Sequence, residues 1–463
     1  MQYSKLVDAD IDYLKGIVGS GHIYVGDAIL EDYAHDELGE ARAFPEVVVE
    51  PDSTEAISAI MRYAYERNIP VTVRGSGTGL CGGCVPIHGG ILLSTARLNR
   101  ILEIDTDNLM ATVEPGVILL DFQETVEKMG FLYAPDPGEK SATVGGNVAT
   151  NAGGMRAVKY GVTRDHVTGL EVVLPNGDIV QLGGKVAKNS SGYSLLHLMI
   201  GSEGTLGIIT KIIVKLLPLP RKVLTLLVPF PSLEQAIETV PKIIRSRVIP
   251  QAVEFMERDV ILSAEKYLGK TFPHKTAPAY LLLRFDGNSL SELEEIYEMV
   301  GDICLESGAE DVLIADTPER QDGLWDARGA FLEALKAESE MDEVDVVVPR
   351  DKIAVFIRYT KELEKEYGVR IRSFGHAGDG NMHVYVLRDD MDREVWKAKM
   401  EEIMDRLYAK GSELGGQVSG EHGIGIAKRP YLIRELGDTL INLQRQIKAV
   451  FDPKNILNPG KVI

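Results

Sequence analysis

Cysteine is scarce in this chain of 463 residues: Cys81, Cys84 and Cys304 are an odd number, too few for a disulfide framework or for a cysteine-held iron–sulfur cluster. Long apolar runs are missing too. No stretch of about eighteen uninterrupted apolar residues occurs, so no transmembrane segment is expected. The N-terminal stretch MQYSKLVDADIDYLKGIVG has neither a charged head followed by an apolar run nor a small-residue cleavage site; secretion is not indicated and the expected location is cytoplasmic. Positive charge is in deficit. With Lys+Arg at 50 against Asp+Glu at 69 the formal charge is -19, and no basic stripe interrupts it, which argues against nucleic acid as a partner. The densest charge run, Glu338 to Asp345 with five acidic residues, reads as a solvated loop.

Repeats and low-complexity tracts are also lacking, yet the length exceeds what one ordinary core accommodates, so two large domains are expected. The first part alternates helical and strand patterns. Asp52-Ser53-Thr54-Glu55 opens an amphipathic run, AISAIMRYAYERN, and its Ser or Thr can cap the helix start. Short β-branched segments follow at IPVTV (69 to 73), ILLS (91 to 94), MATVEPG (110 to 116), LEVVLPNGDIVQL (170 to 182) and GIITKIIVKLLPLP (207 to 220). Within the fourth, Asn176-Gly177 signals a hairpin. After Pro218 and Pro220 the texture changes to long helical patterns, SLEQAIETVPKIIRS and SELEEIYEMVGDICLES, alternating with strands such as YLLLRF. The expected division is residues 1–220, then an α+β domain over 221–410, then a glycine-rich C-terminal segment over 411–463.

Glycine is the residue used with most purpose. RGSGTGLCGG, from Arg74, follows directly on a strand, where backbone N–H groups can be brought against phosphate oxygens. Gly77-x-Gly79-x-x-Gly82 matches the dinucleotide fingerprint, with Asp105 near the place of a ribose-binding acid. A Rossmann site, however, needs a helix to begin inside the loop, and Pro86, Gly89 and Gly90 break the chain before the next strand. Two further clusters, PDPGEKSATVGGNVATNAGG (135 to 154) and NSSGYSLLHLMIGSEGTLGIIT (189 to 210), could wrap an extended ligand from several sides. Cys81-x-x-Cys84 has half of a zinc or redox spacing but no second pair, so it reads as small buried residues.

Together the three clusters resemble the FAD-binding domain of the vanillyl-alcohol oxidase type, also called the PCMH type, over roughly residues 40 to 220. The resemblance implies a two-subdomain FAD-binding domain in an α+β protein whose substrate or cap domain carries an antiparallel sheet. It implies that Arg74, Gly75, Ser76, Gly77, Thr78, Gly79 and Leu80 form the pyrophosphate loop. Pro137, Gly138, Ser141, Thr143, Gly146, Asn147, Thr150, Gly153 and Gly154 would line the flavin, and Glu203, Gly204 and Ile208 the adenine half. Neither His88 nor Cys81 matches a covalent attachment pattern, so the FAD is expected to be non-covalent.

A second constellation lies near the C-terminus. GHAGDGNMH sets His376 and His383 around a turn made by Gly378 and Gly380, ahead of the strand VYVLR, and two such imidazoles can serve a divalent metal. In SGEHGIG, Glu421 and His422 are adjacent in another glycine-rich turn, a way to aim polar groups into a cleft. Five of the nine histidines lack such contexts, and His88 falls outside them. Two neutral nitrogens and one carboxylate leave metal positions open to a substrate hydroxyl and carboxylate, with His422 near enough to accept the proton.

HxGDGNxH, SGEHGIG and the terminal DPKNILNPGK resemble the D-lactate dehydrogenase, glycolate oxidase D-subunit and D-2-hydroxyglutarate dehydrogenase family over nearly the whole chain. That resemblance makes His376, His383 and Glu421 ligands of zinc, manganese or iron, and His422 the general base. Asn381 would contact the substrate, and Arg328, in LWDARGAF, would hold its carboxylate as a bidentate fork. Asn458 and Lys461 would return to the flavin edge. The reaction implied is oxidation of a small D-2-hydroxy acid to the 2-oxo acid, with hydride passing to flavin N5. Members acting on D-2-hydroxyglutarate carry a lysine just before the segment that here reads EVDVVVP, and Glu343 stands near that place. A negative charge there disfavours a second carboxylate, so D-lactate ranks first and glycolate second. Electrons would leave through an electron-transferring flavoprotein, an iron–sulfur subunit or a peripheral quinone contact, in a homodimer or hetero-oligomer. Rival readings are a metal hydrolase without flavin and a non-catalytic flavoprotein that only relays electrons.

Overall fold

A computed structural model describes residues 3–38, 41–274 and 276–463. The chain divides into two compact units: one is Met1–Gly153, Gly161–Leu219 and Glu421–Ile463, the other Gly154–Tyr160 and Pro220–Gly420. The sequence-based boundary at 410 falls inside the helix Arg393–Glu413, which continues the second unit because Leu407, Tyr408 and Gly411 are buried on it.

In the first unit a four-stranded sheet runs Ile23–Val25, Val47–Val49, Ile91–Ser94, Val71–Arg74, the first pair antiparallel and the rest parallel. The Ser53 side chain accepts from the Ala56 N–H and so starts the helix Thr54–Arg67. That helix buries Ile57, Ile60, Met61 and Ala64, which join Val47, Val49, Val71, Ile91 and Leu93 in one core. The parallel neighbours Val71–Arg74 and Ile91–Ser94 are joined with no helix between them, so the fingerprint-like glycines belong to a loop and not to a Rossmann turn. Near the C-terminus the chain comes back to this sheet, Leu457 bridging Val71 in parallel. A five-stranded antiparallel sheet completes the unit, in the order Ile101–Asp105, Met110–Val113, Ile208–Lys215, Val167–Val173, Ile179–Gly183. Its last hairpin turns at Asn176-Gly177, with Gly177 at φ 88° and Val173 opposite Ile179.

The second unit is built on seven antiparallel strands in the order Leu313–Ala315, Lys222–Phe230, Ala279–Gly287, Ala252–Glu257, Arg370–His376, Asn381–Leu387, Met341–Val347. Helices Leu233–Arg245 and Leu290–Glu306 each begin at a serine cap, Ser232 and Ser289. One expectation is overturned here. The acidic run is no solvated loop: Met341–Val347 is a strand, and Asp345 is fully buried. Its carboxylate is tolerated because it accepts from Asn381 Nδ2 at 2.6 Å, Ser419 Oγ at 2.8 Å and the Gly420 N–H at 3.2 Å. Among the described residues no helix is long and apolar enough to cross a membrane.

Candidate functional site

The three glycine clusters converge within the first unit. At Gly75 a Cβ would stand 2.5 Å from Thr143 Oγ1, so the first loop and the cap of the second cluster approach as closely as only glycine allows. Thr143 caps the helix Val144–Thr150 by accepting from the Gly146 N–H at 3.1 Å. Gly77 has φ 82°, and a Cβ on it would collide with the Arg74 guanidinium, which lies against the loop and donates to the His35 carbonyl at 2.6 Å. Asn458 Nδ2 donates both to the Gly83 carbonyl at 2.9 Å and to the Glu203 carbonyl at 2.7 Å, tying the first loop to the third cluster. Beside it the buried Lys461 ammonium donates to Val85 O at 2.7 Å and to Asn458 Oδ1 at 3.0 Å; burial pulls its pKa down to about 8.

Other predicted flavin residues are more scattered in role. Ser76, Gly79, Gly138 and Ser141 are exposed, with Ser141 Oγ donating to Glu139 at 2.6 Å. Gly75, Gly77, Thr78, Leu80, Pro137 and Gly204 are half-buried, and Ile208 starts a buried strand. Thr150 turns its hydroxyl back onto the Gly146 carbonyl. Gly154 opens the short segment that belongs to the second unit. The Glu203 carboxylate, assigned by resemblance to the adenine half, accepts from the Ile424 and Gly425 N–H groups at 2.7 and 2.8 Å. Burial raises its pKa against those two bonds. Cys81 is buried with its thiol on the Gly423 carbonyl, and burial lifts the Cys84 thiol to about 11, so Cys84 is not poised as a thiolate.

The buried Asn147 tests whether FAD suits this region. Its Nδ2 has no partner among the described residues, on a helix whose N-terminus is glycine-rich. A buried amide left unmatched is costly unless a ligand completes it, and loops lined by main-chain N–H groups fit a pyrophosphate.

In the second unit His376 and His383 lie on the paired strands Arg370–His376 and Asn381–Leu387, joined by a turn in which Gly380 has φ 93°. A Cβ on Gly380 would collide with the Val348 carbonyl. Both rings are buried and meet edge to face, centroids 5.3 Å apart. His376 Nδ1 is 2.7 Å from Glu254 Oε1, and His383 Nδ1 is 3.2 Å from Glu343 Oε1. A carboxylate only accepts, so the bond to Glu254 puts the His376 proton on Nδ1 and leaves its Nε2 with a lone pair, a donor that suits a divalent metal. The His383–Glu343 approach is a charge contact and does not fix the His383 tautomer.

Arg328, in the last turn of the helix Pro318–Gly329, is buried with Nε and Nη2 at 2.8 and 2.6 Å from Glu254 Oε2, its guanidinium over the Phe374 ring at 4.7 Å. Glu254 is thus shared by Arg328 and His376. Burial would raise its pKa, but the two partners outweigh that and hold it below the usual carboxylate range. Asn381 Nδ2 is engaged by Asp345 Oδ1 and the Val346 carbonyl. Glu421 and His422 fall where the chain passes into the first unit, their side chains 3.6 Å apart. The histidine pair is thus brought together as the glycine turn suggested. Glu254 and Asp345 were missed as site residues, and the one sequence signal for Glu254 is an acid inside the apolar strand AVEFME.

The FAD-binding domain model matches residues 45–183, and the C-terminal domain of FAD linked oxidases matches residues 219–462. By structure the chain is similar to p-cresol methylhydroxylase with substrate bound, at TM-score 0.77 and 18% identity over 99% of this chain and 98% of that one. The fold is therefore that of the vanillyl-alcohol oxidase type flavoproteins, and the class is an FAD-dependent oxidoreductase. By sequence it is 51% identical to the D-lactate dehydrogenase of Anaerostipes hadrus over all of this chain and 98% of that protein. It is 42% identical to the glycolate oxidase subunit GlcD of Bacillus subtilis over 93% of this chain and 91% of that one, and 45% identical to the D-lactate dehydrogenase of Archaeoglobus fulgidus over 90% and 91%. The chain belongs to the FAD-linked D-lactate dehydrogenase and GlcD family.

Proposed function

We propose that the protein oxidises a small D-2-hydroxy acid to the 2-oxo acid, D-lactate first and glycolate second, and passes the electrons to a partner protein. The observation that carries this reading is the buried His376–His383 pair, with His376 Nδ1 bonded to the Glu254 carboxylate so that its Nε2 is available. The names of the relatives, D-lactate dehydrogenase and glycolate oxidase subunit, support the substrate class. When bound, FAD supplies the two-electron acceptor, and a divalent metal held by His376, His383 and Glu421 supplies a Lewis acid that makes the substrate hydroxyl more acidic.

The chain's own side chains do the rest. His422 accepts the hydroxyl proton; an imidazole suits this because its ordinary pKa lies near neutrality. Arg328 offers the substrate carboxylate the guanidinium edge that Glu254 does not occupy. Asn381, whose N–H groups are engaged, contributes its carbonyl oxygen. Glu343, already set against His383 and the Tyr385 hydroxyl at 2.9 Å, repels a second carboxylate and favours a monocarboxylate. With three cysteines the chain lacks the ligands for its own iron–sulfur cluster, which favours an electron-transferring flavoprotein or a cluster-bearing subunit as acceptor.

Purified protein that is yellow, bleaches anaerobically on adding D-lactate, and no longer bleaches after chelator treatment bears the proposal out. Colourless protein turns the case to a metal hydrolase. Yellow protein indifferent to hydroxy acids turns it to an electron relay.

A further inference from the structure

Glu254 was not among the residues that the sequence pointed to, yet it is fully buried beside the histidine pair. It sits in the strand Ala252–Glu257 directly opposite His376 on the neighbouring strand. One carboxylate oxygen takes the His376 Nδ1–H at 2.7 Å; the other takes Arg328 Nε and Nη2 at 2.8 and 2.6 Å. Arg328 is itself wedged over Phe374 at 4.7 Å and Phe331 at 5.6 Å, so neither partner can swing away without unpacking aromatic rings.

We propose that Glu254 is a positioning residue that locks His376 in the tautomer whose Nε2 binds metal and, through the same carboxylate, fixes the arginine that anchors the substrate. This rests on the metal-assisted oxidation proposed above. The chemistry is one of donors and acceptors. A carboxylate can accept on both sides at once, from an imidazole N–H and from a guanidinium. A carboxamide cannot. In Glu254→Gln one face becomes an NH2, and it must meet either Arg328, donor against donor, or His376 Nδ1. Facing His376 it drives the imidazole to the other tautomer, with the proton on Nε2, where a metal cannot bind. Support of this kind behind a metal-bound histidine typically changes metal affinity by about 10–100-fold.

The experiment uses the full-length, FAD-loaded protein, stripped with chelator and titrated with zinc and with manganese in the absence of any hydroxy acid. Glu254→Gln is expected to bind both metals at least about 10-fold more weakly with an unchanged FAD-to-protein ratio, while Glu254→Asp, which still only accepts, regains most of the affinity. With D-lactate the Gln variant is expected to show a raised KM as well as a lowered kcat, since both anchors loosen together. Wild-type metal affinity in Glu254→Gln, or equal losses in the Gln and Asp variants, overturns the role of Glu254 alone. A wild-type protein that takes up neither metal overturns the metal reading and this proposal with it. Should Glu254→Gln fail to fold, the wild type still decides: imidazole nitrogen spectra of histidine-labelled protein, assigned with a His376→Asn variant, must show His376 protonated at Nδ1. The opposite tautomer overturns the proposal.

Discussion

The two units meet the problem of polar groups in opposite ways. In the first, the glycine loops are half-buried, and some of the buried side chains beside them are incompletely matched: Asn147 Nδ2 and Asp36 Oδ2 have no hydrogen-bond partner among the described residues. In the second, the two buried carboxylates beside the histidine pair are matched, Glu254 with Arg328 and His376, Asp345 with Asn381, Ser419 and Gly420, although other buried groups there, such as Ser373 Oγ, have no hydrogen-bond partner among the described residues. Loops of the first kind are completed by a ligand. Carboxylates matched in this way hold the His376 and Arg328 nitrogen atoms in place, which is what orientation of a small substrate needs. Binding of the cofactor should therefore fail through main-chain sterics, and turnover through side-chain chemistry.

The largest separation of the two is expected from His422→Asn. A positioned base contributes about 10²–10⁴-fold, so anaerobic flavin reduction by D-lactate should fall by that order while the FAD absorbance stays at wild-type level. Unchanged single-turnover reduction would remove His422 from the role of base. The converse variant is Gly77→Val. At φ 82°, with the Arg74 guanidinium where a side chain would go, a β-branched residue must rebuild the loop. Protein should be recovered with substoichiometric FAD, yet still bind zinc, since two of the three proposed ligands, His376 and His383, belong to the other unit and Glu421 is not part of the rebuilt loop. Full FAD content in Gly77→Val would sink the division of labour drawn here.

A smaller effect, felt on stability as well as turnover, is expected from Asp345→Ala. Three donors lose an acceptor, but only Asn381 is in the interior, since Ser419 is half-buried and Gly420 exposed to water. The unsatisfied buried amide costs about 1–3 kcal/mol, less what its second bond to the Val346 carbonyl retains. The melting temperature should fall and kcat with it, because Gly420 immediately precedes Glu421 and His422 in the chain. FAD content should hold. A variant with lowered stability but wild-type kcat would make Asp345 structural only.

How much of this the sequence carried follows the same divide. The glycine clusters were legible because the constraint on each is local: a positive φ or a close approach admits no side chain, as at Gly75, Gly77 and Gly380. The hairpin at Asn176-Gly177 and the Ser53 cap were legible for the same reason. The carboxylates behind the histidines were not. Glu254 lies 122 residues from His376 in the chain, and only the sheet order sets their strands side by side. Asp345 was misread outright, since charge density points to solvent unless the partners that neutralise each acid are known. The resemblance of whole motifs supplied roles for Arg328 and Asn381, but not the fact that each is already engaged by an acid from another strand.

The smallest effect probes the unmatched side of the comparison. Asp36 is buried near the first loop, its Oδ1 accepting from the Leu38 N–H at 3.1 Å and its Oδ2 having no hydrogen-bond partner among the described residues, with the Gly82 N–H a further source of support. Burial raises its pKa from 3.8 to about 6, more than the neighbouring N–H groups and Arg74 can offset. A carboxyl whose pKa is higher folded than unfolded binds more protons in the native state between those values. Stability therefore falls as pH rises through that window, and the penalty is full above about 6. Asp36→Asn keeps an acceptor for Leu38 and has no charge to bury. Relative to the wild type it should gain about 1–3 kcal/mol at pH 7 and nothing near pH 4, read as the difference between denaturant midpoints of the two holoproteins at each pH. If the variant is instead no more stable at pH 7 than the wild type, the Asp36 charge is compensated in the native state, and the first unit is as self-sufficient in its polar contacts as the second.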